Sequence, residues 1–169
     1  MAEADRTRER ERPPIAENPY EMNMRKRKER AERNRVGPIV IKQSDREQFV
    51  ARQGRLMFYL NPWAYTDTPL QQWQVFMHEI RTRSGKHRHQ GGVIIYVYEG
   101  KGYSIVNGER VDWKKGDLVL LPFDPKEVVH QHFNEQSTPA KWVAFYNIPI
   151  IEHIAAEMEQ MEESPEFKR

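Results

Sequence analysis

The histidines of this chain are the side chains whose spacing could do chemistry. Six are present, and with no cysteine the other side chains that ligate metals are the carboxylates. His87-Arg88-His89 opens a strand-rich, glycine-punctuated stretch that closes on His130-Gln131-His132-Phe133-Asn134. Two histidines at i and i+2 on a strand project from one face, and imidazole is the commonest metal ligand. The layout is that of a metal-binding β-barrel in which a third histidine comes from another strand. A site built on His and carboxylate suits zinc, iron, manganese, nickel or copper, and the lack of cysteine excludes thiolate ligation and a disulfide framework.

Those histidines need strands to hold them. Leu56–Leu60, Trp73–Ile80, Val93–Tyr98, Tyr103–Val106, Asp117–Pro122 and Trp142–Asn147 are short, rich in β-branched or aromatic residues, and mostly separated by Gly or Pro. Asn107-Gly108 is the best local hairpin signal, since both positions tolerate positive φ. Many short strands without alternating long helices predict an all-β, closed or sandwiched antiparallel barrel. Ile39–Ile41 reads as a short strand, Ser44-Asp45-Arg46-Glu47 as a capping box opening a helix over 45–51, and Ile150–Glu163 as one amphipathic C-terminal helix.

With 169 residues, 38% hydrophobic and 31% charged, the chain fits one modest core and appendages. The expected organisation is a charged, partly disordered or helical arm over 1–36, a barrel over 37–149, and a helix and tail over 150–169. Residues 1–38 hold eleven Lys/Arg against eight Asp/Glu, while the rest is near neutral. The basic run from Arg25 to Arg35 lacks interleaved aromatics and contains Glu29 and Glu32, so it reads as a solvated or subunit-docking arm, with nucleic acid not expected as a partner. No signal-peptide core and no membrane-length apolar run are seen, so a cytoplasmic location without membrane association is the default expectation.

Gly85-Lys86-His87-Arg88-His89-Gln90-Gly91-Gly92-Val93 through Glu99-Gly100, followed by Gly116-Asp117-Leu118-Val119-Leu120-Leu121-Pro122 and then His130 and Asn134, resemble in order the two motifs of the cupins. The resemblance covers about residues 70–147 and implies a jelly-roll barrel with a metal ion inside. Where the family usually places a glutamate ligand, this chain has Val93. Gentisate and hydroxynaphthoate dioxygenases also lack that glutamate, and they are similar to this chain in the His-Arg-His and in the closing motif. They differ in length, being usually two cupin units in one chain. Carried over residue by residue, the resemblance implies His87, His89 and His130 as ligands of Fe(II). A decayed, metal-free pocket is the competing reading of Val93.

Three neutral imidazoles leave a divalent metal its full +2 charge, which favours anionic bidentate ligands such as an ortho-hydroxy carboxylate on an aromatic ring. His132 shares a face with His130 and is read as a catalytic proton relay or substitute ligand, a core-lining role standing open beside these. Arg83, with Arg81, is read as a contact for the substrate carboxylate, because guanidinium binds carboxylate bidentately. Arg88 should turn away from the metal into a surface salt bridge, and His78 reads as a structural histidine. Aromatics including Trp73, Trp142 and Tyr146 are available to stack a ring, although packing explains most of them. The leading function is therefore a non-haem iron dioxygenase, an oxidoreductase of aromatic compound catabolism that consumes dioxygen. A metal-dependent isomerase, decarboxylase or lyase and a non-catalytic small-molecule-binding module are the alternatives. A homodimer is expected, with the C-terminal apolar face contributing.

Overall fold

The β-branched and aromatic runs become strands because each has an apolar partner to pack against across a ladder. The computed structural model describes residues 16–168. Eleven strands form two antiparallel sheets: β1 (Gln48–Ala51), β2 (Gly54–Leu60), β3 (Trp73–Ile80), β4 (Lys86–His89), β5 (Val93–Glu99), β6 (Lys101–Val106), β7 (Glu109–Lys114), β8 (Leu118–Leu121), β9 (Val128–Asn134), β10 (Ala140–Asn147) and β11 (Glu159–Glu162). The first sheet runs β1-β2-β3-β10-β5-β8 and the second β11-β4-β9-β6-β7. The core lies between them, with Ile80, Val97, Val128, Ala140 and Ala144 almost fully buried. This is the all-β jelly roll expected from the sequence. Asn107 and Gly108, with φ of 49° and 87°, make the tight turn joining β6 to β7.

Contacts in the chain separate a unit ending at Glu32 from one beginning at Arg33. The first holds most of α1 (Pro19–Arg33), which buries no residue. Asn18 Oδ1 accepts the Tyr20 N–H at 2.9 Å at its start, and Arg25 pairs with Glu17 and Glu29 at 2.8 and 2.7 Å. Expectations for residues 1–15 lie outside the described residues.

Three local readings are corrected. Ile39–Ile41 forms no strand, and Ile39 is exposed. No helix follows Ser44. A single 3-10 turn, Gln43–Asp45, has Asp45 Oδ2 accepting the Lys42 N–H at 2.9 Å, and 48–51 is β1. The Phe49 ring stacks on Phe58 of the neighbouring strand at 5.8 Å, a cross-strand contact that a helix would forfeit. The C-terminal helix is α2 (Ile148–His153) and does not continue to Glu163. Ala155 takes φ +48°, and the chain returns as β11 along β4, held by Arg88 to Glu159 and by Arg83 and Lys86 to Glu162.

Candidate metal centre

β4 and β9 pair with His87 directly opposite His130, so the register itself brings the two groups of histidines together. Alternation turns His87 and His89 inward and leaves Lys86 and Arg88 half-exposed. Arg88 ion-pairs with Glu127 and Glu159 on the outer surface, the role its parity predicts. His87, His89 and His130 are all buried, each offers one ring nitrogen, and these atoms lie within 4.8 Å of one another. The rings of His87 and His130 are 4.1 Å apart, and those of His89 and His130 4.8 Å.

Hydrogen bonds around these rings set which nitrogen is free. His130 Nδ1 donates to the Val128 carbonyl at 3.1 Å, leaving the Nε2 lone pair for a ligand. His87 Nδ1 is buried with no hydrogen-bond partner, the kind of orphan a bound cation or its solvent satisfies. The Gly91 N–H donates to His89 Nδ1 at 2.9 Å, so the neutral ring carries its proton on Nε2, where it meets the Tyr146 hydroxyl at 2.8 Å. Burial pushes His89 down to about 3 and His130 to about 4, and holds His87 well below the usual histidine range, with the neighbouring imidazoles reinforcing the effect on His87. All three are neutral near pH 7, as metal ligation requires. His87 and His130, with His89 once metal binding releases its Nε2 proton, make a donor set that fits a divalent ion of the iron, zinc or manganese kind.

Around the three histidines lies a cavity of about 710 Å³, lined on its deep side by Val93, Ile95, Leu121, Trp142, Ala144, His78 and His132. Val93 is buried there, and no buried carboxylate lines the cavity among the described residues; Glu152 and Glu157 are exposed at its rim. His132 belongs to the cavity wall and not to the three-nitrogen group. Trp113 Nε1–H donates to Ser104 Oγ at 2.9 Å, and Ser104 Oγ shares a hydrogen bond with His132 Nδ1 at 2.7 Å. Burial holds the His132 ring well below the usual histidine range, so it is neutral near pH 7. His78 packs edge-on to Trp142 at 4.8 Å and is pushed by burial down to about 3.

Arg83 does not reach the cavity. The ladder breaks at Ser84-Gly85, Arg83 aligns with Phe133, and its guanidinium pairs with Glu162 at 3.3 Å. Phe133 stacks on Tyr103 at 4.7 Å on the outer face of the sheet, which is the side Arg83 shares. Arg81 pairs with Glu79 and Glu166. Arg52, from the turn between β1 and β2, is the cavity-lining cation among the described residues, at the exposed rim and 3.2 Å from Glu163. Sequence reasoning missed Arg52 and the hydroxyl of Tyr146. Tyr146 had only its place on an alternating strand to signal it, and nothing in the sequence aligns that strand with His89.

Residues 75–146 match the family described as Cupin domain. The barrel has the cupin fold. Gentisate 1,2-dioxygenases from Streptomyces sp and Ralstonia sp are 34% and 30% identical to this protein over 71 residues, 41% of this chain. The match spans only 19% of each of those relatives. A solved salicylate 1,2-dioxygenase variant from Pseudoaminobacter salicylatoxidans, in complex with gentisate, shares the fold at a TM-score of 0.54 and 18% identity. It covers 89% of this chain and 39% of its own. The three buried histidines of this cupin fold form a group where a divalent metal fits. Among the described residues no helix is long and apolar enough to cross a membrane.

Proposed function

We propose that this cupin is a non-haem Fe(II) dioxygenase acting on an aromatic or enol-type hydroxy acid, with His87, His89 and His130 as the metal ligands. The observation that carries the reading is a buried group of three neutral imidazoles with Val93 in place of a carboxylate, in a domain similar to gentisate 1,2-dioxygenases. Ferrous iron bound there would keep its +2 charge, attract a chelating hydroxy-carboxylate and supply the electron transfer to dioxygen.

The chain's own residues do the rest. Ile95, Leu121, Trp142 and Ala144 make the inner wall apolar, which excludes water and strengthens each polar contact inside. His132, anchored through Nδ1 to the Trp113–Ser104 pair, lines the cavity and serves as a hydrogen-bonding partner for a substrate oxygen. Tyr146 keeps a hydroxyl beside His89. Arg52 takes the carboxylate-binding part that the sequence suggested for Arg83, since it lies on the cavity rim and Arg83 does not.

The test is protein loaded anaerobically with Fe(II), then assayed in an oxygen electrode with gentisate, salicylate and hydroxynaphthoates. Oxygen uptake that matches substrate loss is expected. Turnover without oxygen uptake would replace this reading by a metal-dependent isomerase, decarboxylase or lyase. Metal analysis of His87→Ala and His130→Ala checks the ligands separately: each should lose its iron while keeping the wild-type far-UV spectrum, and stoichiometric iron in both would remove the assignment.

A further inference from the structure

The deep wall of the cavity holds a histidine that the metal group does not use. His78 of β3 is 3% exposed and lines the cavity, and no hydrogen bond to its ring is made among the described residues; burial is the sole influence on its protonation. By contrast, His130 is tied to the Val128 carbonyl, His89 to Gly91 and Tyr146, and His132 to Ser104. A histidine kept for the fold alone would be bonded within it, because a buried polar ring without a partner costs stability that an apolar side chain would not. The fold instead makes room for this ring: Gly54 has φ +135°, and a Cβ there would lie 2.5 Å from His78 Nε2. Three successive edge-on contacts connect His78 to the metal group. Ring centres are 4.8 Å apart from His78 to Trp142, 5.1 Å from Trp142 to His132 and 5.4 Å from His132 to His130. Phe76, Ile95 and Ala144 keep the intervening wall apolar, as a bound aromatic ring requires.

We propose that His78 is a specificity-determining residue, whose ring nitrogen hydrogen-bonds an uncharged hydroxyl on the edge of the substrate opposite its metal-chelating pair. The inference rests on the function proposed above, a hydroxy acid chelated at His87, His89 and His130, and adds what the far edge of that acid must carry. A neutral imidazole offers one donor and one acceptor, which matches a hydroxyl. A second carboxylate would be desolvated with no cation to meet it, because Arg52, the cavity-lining cation among the described residues, stands at the exposed rim. A bare ring edge would leave the imidazole unpaired, and a site that hydrogen-bonds a substrate hydroxyl discriminates against the analogue that lacks it. His132, whose ring neighbours that of His130, serves an oxygen nearer the metal.

The full chain, loaded with redox-silent Zn(II), is titrated calorimetrically with 2-hydroxybenzoate and with its 4-hydroxy and 5-hydroxy derivatives, whose added hydroxyl lies opposite the chelating edge. At least one derivative should bind wild-type protein roughly 2- to 10-fold more tightly than the parent acid, the net worth of one hydrogen bond. That gain should vanish in His78→Phe, with the parent's affinity and the far-UV spectrum unchanged, and should return in part in His78→Gln. In wild-type protein the His78 ring nitrogens should shift in nitrogen-15 spectra with the preferred derivative and not with the parent, a readout that needs no variant to fold and that a purely structural histidine would not give. Equal affinities in wild-type protein, a preference that survives in His78→Phe, or His78 resonances that stay in place would overturn the proposal. Failure of all three acids to bind the loaded protein would instead remove the chelated hydroxy acid itself, and the subsite with it.

Discussion

At the scale of single residues, the site depends on protons held in place by neighbours. His89 Nε2 carries its proton toward the Tyr146 hydroxyl because the Gly91 N–H occupies Nδ1, so a metal reaching that nitrogen must displace both the proton and the tyrosine contact. Tyr146→Phe removes that competition, and a hydrogen bond of net worth about 0.5–1.5 kcal/mol translates to metal binding tighter by roughly 2- to 10-fold. Competition titration against a chelator measures it, and weaker binding in the variant would show the hydroxyl to be an ally of the metal. The buried imidazoles also tie stability to pH. In the unfolded chain they protonate near 6.5, whereas in the fold His130 stays neutral to about 4 and His89 and His78 to about 3. Between those values the unfolded state binds more protons, so stability is fully present above about pH 6.5 and is lost as pH falls toward 4. At pH 5 each such ring has lost about 2 kcal/mol, shared and not simply additive among neighbouring rings. The urea midpoint of metal-free protein should therefore drop from pH 7 to pH 5, and equal midpoints would contradict the burial of neutral histidines.

At the scale of elements, the turn from β4 to β5 aims His89. Gly91 has φ +78°, and a Cβ there would sit 1.7 Å from the Pro122 carbonyl oxygen. Gly91→Ala should destabilise the fold by about 1–3 kcal/mol and loosen metal binding with it, because its N–H is also the His89 partner. Chemical unfolding with and without metal reads both effects. The strands rich in Val, Ile, Tyr and Trp were legible from the sequence, as was the Asn107-Gly108 turn. Elements that lack such composition were not. β7, Glu109–Lys114, is largely polar and exposed, and it exists because β6 offers it a ladder. Gln48–Ala51 and Glu159–Glu162 likewise became strands through their partners, against a capping box in one case and helical spacing in the other.

At the scale of the whole molecule, a metal bound to three histidines from two strands clips β4 to β9, the central strand of the second sheet. Anything that binds the folded state alone stabilises it, by about 2.7 kcal/mol at a hundredfold excess over Kd. Metal-loaded protein should therefore melt several degrees above the same protein in chelator, with the gain absent in His130→Ala. Calorimetry distinguishes this from general ion effects, which would persist in the variant.

The sequence by itself determined the all-β class, the main strands, and the three histidines whose inward parity follows from the period of a strand. It also determined the missing carboxylate, since Val93 is read directly from the chain. The tertiary structure decided what parity cannot carry across a break. The ladder is interrupted at Ser84-Gly85, so Arg83 faces Glu162 on the outside while Arg52 arrives at the cavity rim from a turn distant in sequence. Only the β10 register next to β5 sets Tyr146 against His89, and only the β6–β9 pairing places Ser104 at His132 Nδ1. Alternation assigns a side chain to a face within one strand; which other strand's side chain waits there is settled by pairing between distant segments.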